Sequence, residues 1–241
     1  MVNVTGSLLS LLSEELAPEA RARTYFHGTC SEDKALGIMK NGLDPAQTEV
    51  KYGSKKPFLR PVAGHVYITP NPGYALVYAL GGDVAGTNFF TNDYGKNFIA
   101  KDGQFGFMFT VNGDDMTDAV PDEDDIGQVI SGLLSGHRIG KYNWDLIDTI
   151  AYGLKSAAQS NLTPAALRRI KDGDMAWCAK AGKQLLKKLS PTILQTLIKA
   201  NTSLAHVGHL KVSGCWKIDK LRCQELAKDG SNFQEIGEKI A

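Results

Sequence analysis

From about residue 125 to residue 200 the sequence is helical in pattern, and short strand-like runs lie on both sides of that block. Thr163-Pro164 and Ser190-Pro191 are two clear helix starts. In each, a capping hydroxyl precedes a proline whose fixed φ suits the first turn. They place helices over 163–189 and 191–200. The apolar spacing adds helices near 144–158 and near Ile126–Leu134, the latter headed by Pro121-Asp122-Glu123-Asp124-Asp125. Strands are expected at 24–29, 65–69 and 105–111 before this block, and at 204–212 and 215–218 after it. A chain patterned this way is expected to form one α+β domain over 1–241. Residues 1–121 and 203–241 would be its sheet core and 122–202 a helical insertion.

Outside that frame, Leu8, Leu9, Leu11, Leu12 and Leu16 predict an amphipathic helix over 5–20 that ends at Pro18. Ser31-Glu32-Asp33 opens a second helix, stopped by Asn41-Gly42, and Pro72 opens a third over 72–80. Residues 44–63 read as a basic loop, either a solvated one or a lid over an anionic ligand, and 81–103 also read as loop. The tail after Leu221 is polar and helical at first. The formal net charge of +1 excludes any bulk argument for nucleic acid or membrane binding. No apolar run is long enough to span a membrane, and Met1–Gly6 carry no signal-like segment. A cytoplasmic protein, or one delivered into a target cell, is the expectation. Cys30, Cys178, Cys215 and Cys223 are widely spaced, which points to free thiols. Together with His206 and His209 they match no zinc pattern, so no metal is expected. The basic run from Arg168 to Lys188 is ordinarily a wet helix face; it also hints at an anionic partner.

The polar residues that stand out on apolar strands are His27 and Tyr67. An imidazole and a phenol are costly in a core and useful in a pocket. His27-Gly28-Thr29 ends the first strand, Gly42-Leu43 follows the next helix, Tyr67 lies on the second strand, and Tyr78 falls eleven residues later on a helix. In order and spacing this resembles the ADP-ribosyltransferase superfamily. It is closest to the branch of diphtheria-type toxins and poly-ADP-ribose polymerases, with some similarity to rifampicin ADP-ribosyltransferases. The resemblance covers about residues 24–80 and implies a split β-sheet core.

That resemblance implies NAD as the substrate. Tyr67 and Tyr78 would flank the nicotinamide, whose flat cationic ring suits aromatic faces. The backbone of Gly28 would hold the carboxamide, because the missing side chain permits close approach. His27 would bond the adenosine ribose, Thr29 the amide or a ribose hydroxyl, and Thr69 completes the binding set. Cleaving the glycosidic bond creates an oxocarbenium-like centre that a carboxylate stabilises. The family places a Glu on a late strand, but Ser203–Gly208 contains no acid, and Thr202 or Ser203 would occupy that slot. Glu123 is the first choice for the carboxylate and Asp122 the second, with a charged helix N-terminus as the competing explanation. His27, Tyr67 and Glu123 are therefore the catalytic candidates for mono-ADP-ribosyl transfer to a protein or nucleic-acid acceptor. The alternatives are an NAD- or ADP-ribose-binding module without turnover and an RNA 2′-phosphotransferase-like enzyme.

Overall fold

The structure, a computed structural model, describes residues 18–47, 62, 64–81, 104–138, 142–220 and 233–241. It is a mixed α+β chain with two antiparallel sheets. It divides into two compact units, and each is described by itself. A sheet unit comprises Ala22–Gln47, Ile68–Asp115 and Gly208–Ala241. A helical unit comprises Met1–Arg21, Thr48–Tyr67 and Met116–Val207.

The sheet unit is built on β1 (Thr24–Thr29), β3 (Phe105–Asn112), β6 (Gly214–Asp219) and β7 (Gly237–Lys239), hydrogen-bonded in the order β1-β3-β6-β7. The strand β3 reads Phe-Gly-Phe-Met-Phe because both its faces are buried. Phe107 and Phe109 pack with Ala35, Ile38 and Met39 of α2 (Glu32–Asn41). Met108 packs with Ala75, Leu76 and Ala79 of α3 (Pro72–Ala79). Two glycines bring α3 down onto the sheet. A Cβ on Gly28 would stand 1.9 Å from the Ala75 carbonyl oxygen, and one on Gly106 would stand 2.0 Å from that of Ala79.

The helical unit contains the short helix α1 (Pro18–Arg21), then α4 (Glu123–Ser135), α5 (Trp144–Asn161), α6 (Pro164–Lys171), α7 (Met175–Leu186) and α8 (Pro191–Lys199). Ile126, Ile130, Ile147, Leu154, Leu185 and Leu197 form its core, all without exposed surface. A small sheet joins β2 (His65–Ile68), β5 (Leu204–Val207) and β4 (Ala119–Pro121) in the order β2-β5-β4. Most of β2 lies in this unit, and its last residue, Ile68, belongs to the sheet unit. The helices α4 and α7 touch backbone to backbone. A Cβ on Gly182 would lie 1.6 Å from the Glu123 carbonyl oxygen, and one on Gly127 would lie 2.1 Å from that of Cys178. The two contacts are four residues apart on each helix, which sets α4 and α7 antiparallel.

Several expectations are revised. The helix over 163–189 is two helices. Gly173 takes φ +77°, and the Asp174 carboxylate accepts from the N–H groups of Ala176 and Trp177 to start a new one. The strand over 204–212 ends at Val207, because Gly208 turns with φ +98°; Leu210 instead bridges Leu43. The strands β4 and β7 were not expected. The strand residues 119–121 and 204–207 group with the helices. Pro18 is the first residue of the helical turn Pro18–Arg21. The rest of the first helix, most of the 44–63 and 81–103 loops, Cys223 and the start of the tail lie outside the described residues. No helix among the described residues is long and apolar enough to cross a membrane.

Candidate functional site

In the sheet unit the site residues cluster on β1 and its edge. The Phe26 N–H donates to the Thr69 carbonyl at 2.8 Å, and the Thr69 N–H returns the bond to Phe26 at 3.0 Å. Phe26 therefore points its peptide groups away from β3. In an extended strand the next residue to point the same way is two positions on, which is Gly28. Its N–H and C=O face the open edge of the sheet, and among the described residues nothing is paired with them. Such an edge offers one donor and one acceptor side by side. That is the complement of a primary carboxamide, which accepts through oxygen and donates through nitrogen.

The reason for a glycine at position 28 differs from the expected one. The side where a Cβ would project is filled by the backbone of α3, so the missing side chain admits the helix rather than a ligand. His27 pairs with Phe109 across the β1–β3 ladder and so shares the face that α2 covers. Gly28 faces the opposite side, under α3, which also carries Tyr78. Tyr78 is exposed over 37% of its surface. The Thr29 and Thr69 hydroxyl oxygens have local duties. Thr29 accepts from the Ser31 N–H at 3.3 Å and Thr69 from the Asn71 N–H at 3.2 Å, which organises the turns into α2 and α3. Their hydroxyl protons can still be donated.

In the helical unit the structure joins two residues 56 positions apart. The Tyr67 hydroxyl donates to Glu123 Oε1 at 3.0 Å and accepts from the Val62 N–H at 2.9 Å. Lys183 Nζ lies 3.8 Å from the same carboxylate oxygen. The α4–α7 glycine contact explains this. It seats the first turn of α4 against Gly182, and the next residue along α7 is Lys183. Glu123 is only 3% exposed. Burial, followed by the charge of Glu123, holds the Tyr67 phenol well above its ordinary pKa, so it stays protonated and remains a donor.

The neighbouring acids divide the work of the helix start. Asp122 caps α4, its side chain accepting from the Asp124 N–H at 2.9 Å and its own N–H donating to the Ser203 carbonyl at 2.7 Å. Asp125 accepts from the Ser203 N–H at 2.5 Å. Burial, and then the charge of Asp124, raises Asp122 well above the usual carboxylate range. Asp124 is pushed up to about 6, first by burial and then by Glu123, and burial also raises Asp125. Asp122 is thus committed to the helix cap. Thr202 is fully buried and donates to the Leu197 carbonyl at 3.0 Å, closing α8. His206 is a buried residue of β5 opposite Ala119. Burial pushes the Cys178 and Cys215 thiols up to about 11, which makes them unreactive at neutral pH. Among the described residues no group of three His, Cys, Asp or Glu could hold a metal ion.

No known protein family, curated protein or solved structure matches this chain. What the site can do rests on its own residues. Sequence reasoning missed Lys183 as a partner of Glu123. The available signal was its place directly after Gly182, a glycine inside a helix and so a mark of close packing.

Proposed function

We propose that the protein is an NAD-dependent mono-ADP-ribosyltransferase. The observation that carries the reading is the open peptide edge at Gly28, which suits the nicotinamide carboxamide. It falls inside the His27-Gly28-Thr29 motif that suggested the family. The reading is further supported, within the helical unit, by the paired Tyr67 hydroxyl and Glu123 carboxylate, and by the order of two antiparallel sheets with a Tyr-bearing helix after β2. In this account Gly28 holds the amide, Thr29, Thr69 and Tyr78 bind the dinucleotide, and His27 reaches it from the α2 side of β1. Tyr67 orients the Glu123 carboxylate, which stabilises the ribosyl cation as nicotinamide leaves. The acceptor oxygen or nitrogen then takes the ADP-ribose and gives up its proton.

A second reading is favoured by one observation. Glu123 is buried and held by Tyr67 and Lys183, as a structural carboxylate would be. A module that binds NAD without consuming it would keep the Gly28 edge and need no acid.

The test is made on the ligand, because a side chain at position 28 would collide with α3. Deamido-NAD carries a carboxylate in place of the amide, and its oxygen would meet the Gly28 carbonyl lone pairs. Its affinity should fall on the order of 100-fold relative to NAD, about 3 kcal/mol for an unpaired buried acceptor beside a charge. Equal affinity for the two dinucleotides would overturn the assignment of Gly28. NAD labelled in its adenylate half, incubated with lysate, separates the two readings. The transferase labels macromolecules and loses this ability with His27→Ala or Tyr67→Ala, whereas the module leaves NAD intact.

A further inference from the structure

Between Pro164 and Lys199 stand eight lysines and arginines and only two aspartates, a formal +6 in a chain that totals +1. The neutral total therefore conceals a strong local asymmetry. The aspartates do not cancel it. Asp174 caps α7 and pairs with Arg169 at 3.5 Å, while Lys183 is engaged by Glu123 and Lys199 reaches Glu19 at 4.0 Å. Arg168, Lys171, Lys180, Lys187 and Lys188 are all exposed, and among the described residues none of them forms an ion pair.

These five cations are arranged lengthwise. Lys180 on α7 and Lys187 at its C-cap are two helical turns apart, on the side opposite Cys178, Ala181 and Leu185, and so about 10 Å apart along the axis. Lys188 adjoins them. The half-buried ring of Trp177 starts the same stripe, with Lys180 Nζ 4.8 Å from its centroid. Arg168 and Lys171 lie on the last turns of α6, just before the tight turn into α7. The large hydrophobic residues exposed among those described are Leu36, Val62, Tyr78, Tyr152 and Ile240, and none is in this segment. A protein partner needs apolar anchors, and a membrane-surface helix needs an apolar face to bury. A phosphodiester backbone needs neither. It offers a negative charge every few ångströms to a row of cations, and guanidinium groups suit its oxygens.

We propose that the α6–α7 surface binds the backbone of a polynucleotide. The inference stands apart from the NAD reading.

The experiment is fluorescence anisotropy of a labelled 20-nucleotide single strand with the full chain across a salt series. Its log–log salt slope should be near 3.5 if all five cations meet phosphates, at roughly 0.7 per contact. The triple variant Lys180→Glu, Lys187→Glu, Lys188→Glu should lower that slope by about 2 and weaken binding more than tenfold at low salt. The matched variant Lys34→Glu, Lys40→Glu, Lys211→Glu, in the sheet unit, changes the net charge equally and should bind nearly as the parent does. Circular dichroism confirms that both are folded. An equal loss in both variants, no binding at low salt, or binding to phosphatidylserine vesicles in preference to the oligonucleotide would each overturn the proposal. NAD turnover is measured in the same samples, so failure of this surface and failure of the transferase reading remain distinguishable.

Discussion

The two compact units use glycine for the same purpose and polar groups for opposite ones. In the sheet unit Gly28 and Gly106 let the backbone of α3 rest on β1 and β3. In the helical unit Gly127 and Gly182 let α4 and α7 touch. The hydroxyls of Thr29 and Thr69 in the sheet unit serve local turns beside an open strand edge, where the peptide groups of Gly28 remain available. The helical unit instead buries its carboxylates at one helix start and satisfies them with Tyr67, Lys183 and the backbone of Ser203. The comparison separates a main-chain edge that no side-chain substitution can alter gently from a side-chain network that point mutations can take apart.

The largest expected effect falls on the glycines. Gly28→Ala and Gly182→Ala each force a Cβ against a rigid backbone carbonyl and should cost about 3 kcal/mol, at the upper end for overpacking. Hydrogen exchange should show α3 and β1 opening in the first variant, and α4 and α7 in the second. If either alanine is accepted with no loss of melting temperature, the close contact is not needed there.

The next effect sharpens the electrostatic side of the contrast. Asp124 has its pKa raised to about 6, and Asp122 and Asp125 are raised too. A raised folded-state pKa means that the folded protein binds more protons than the unfolded chain. Stability is therefore lost as pH rises from about 4 through 6. Urea midpoints should be higher at pH 5 than at pH 7.5, and Asp124→Asn should flatten that dependence. A midpoint that rises with pH over this window would contradict the buried-acid description.

Helix caps give a smaller difference. Asp174 holds two backbone N–H groups, whereas Ser31 in the sheet unit holds one, that of Lys34, at 3.3 Å. Asp174→Ala should cost about 1.5 kcal/mol and Ser31→Ala about 0.5 kcal/mol, read from denaturant midpoints. The Arg169 pair adds little, because the Arg169 side chain is 64% exposed.

Much of this was visible in the sequence where the cause is local. Thr163, Ser190 and Ser31 each cap the helix that the sequence places after them, and β3 declares itself by an unbroken apolar run. The break between α6 and α7 was also visible in Asp172-Gly173-Asp174, a positive-φ glycine followed by a cap, but the surrounding basic helical pattern overrode it. The strands β4 and β7 were hidden for a different reason. Each is three residues long and exists only through a distant partner, β5 and β6 respectively. For the site, His27-Gly28-Thr29 pointed to β1, but the role of Gly28 beneath α3 needed coordinates. So did the Tyr67–Glu123 bond, which spans 56 residues, and no periodicity encodes such a contact.

The most direct test of the account is the rate of nicotinamide release from NAD by the full chain beside its Glu123→Gln variant, with NAD binding measured in both. The account predicts release by the parent and a fall on the order of 100-fold in the variant, with affinity for NAD nearly unchanged, because the carboxylate acts on the ribosyl cation and not on the bound ground state. Equal release by the two proteins, or NAD bound by the parent and never cleaved, would contradict it.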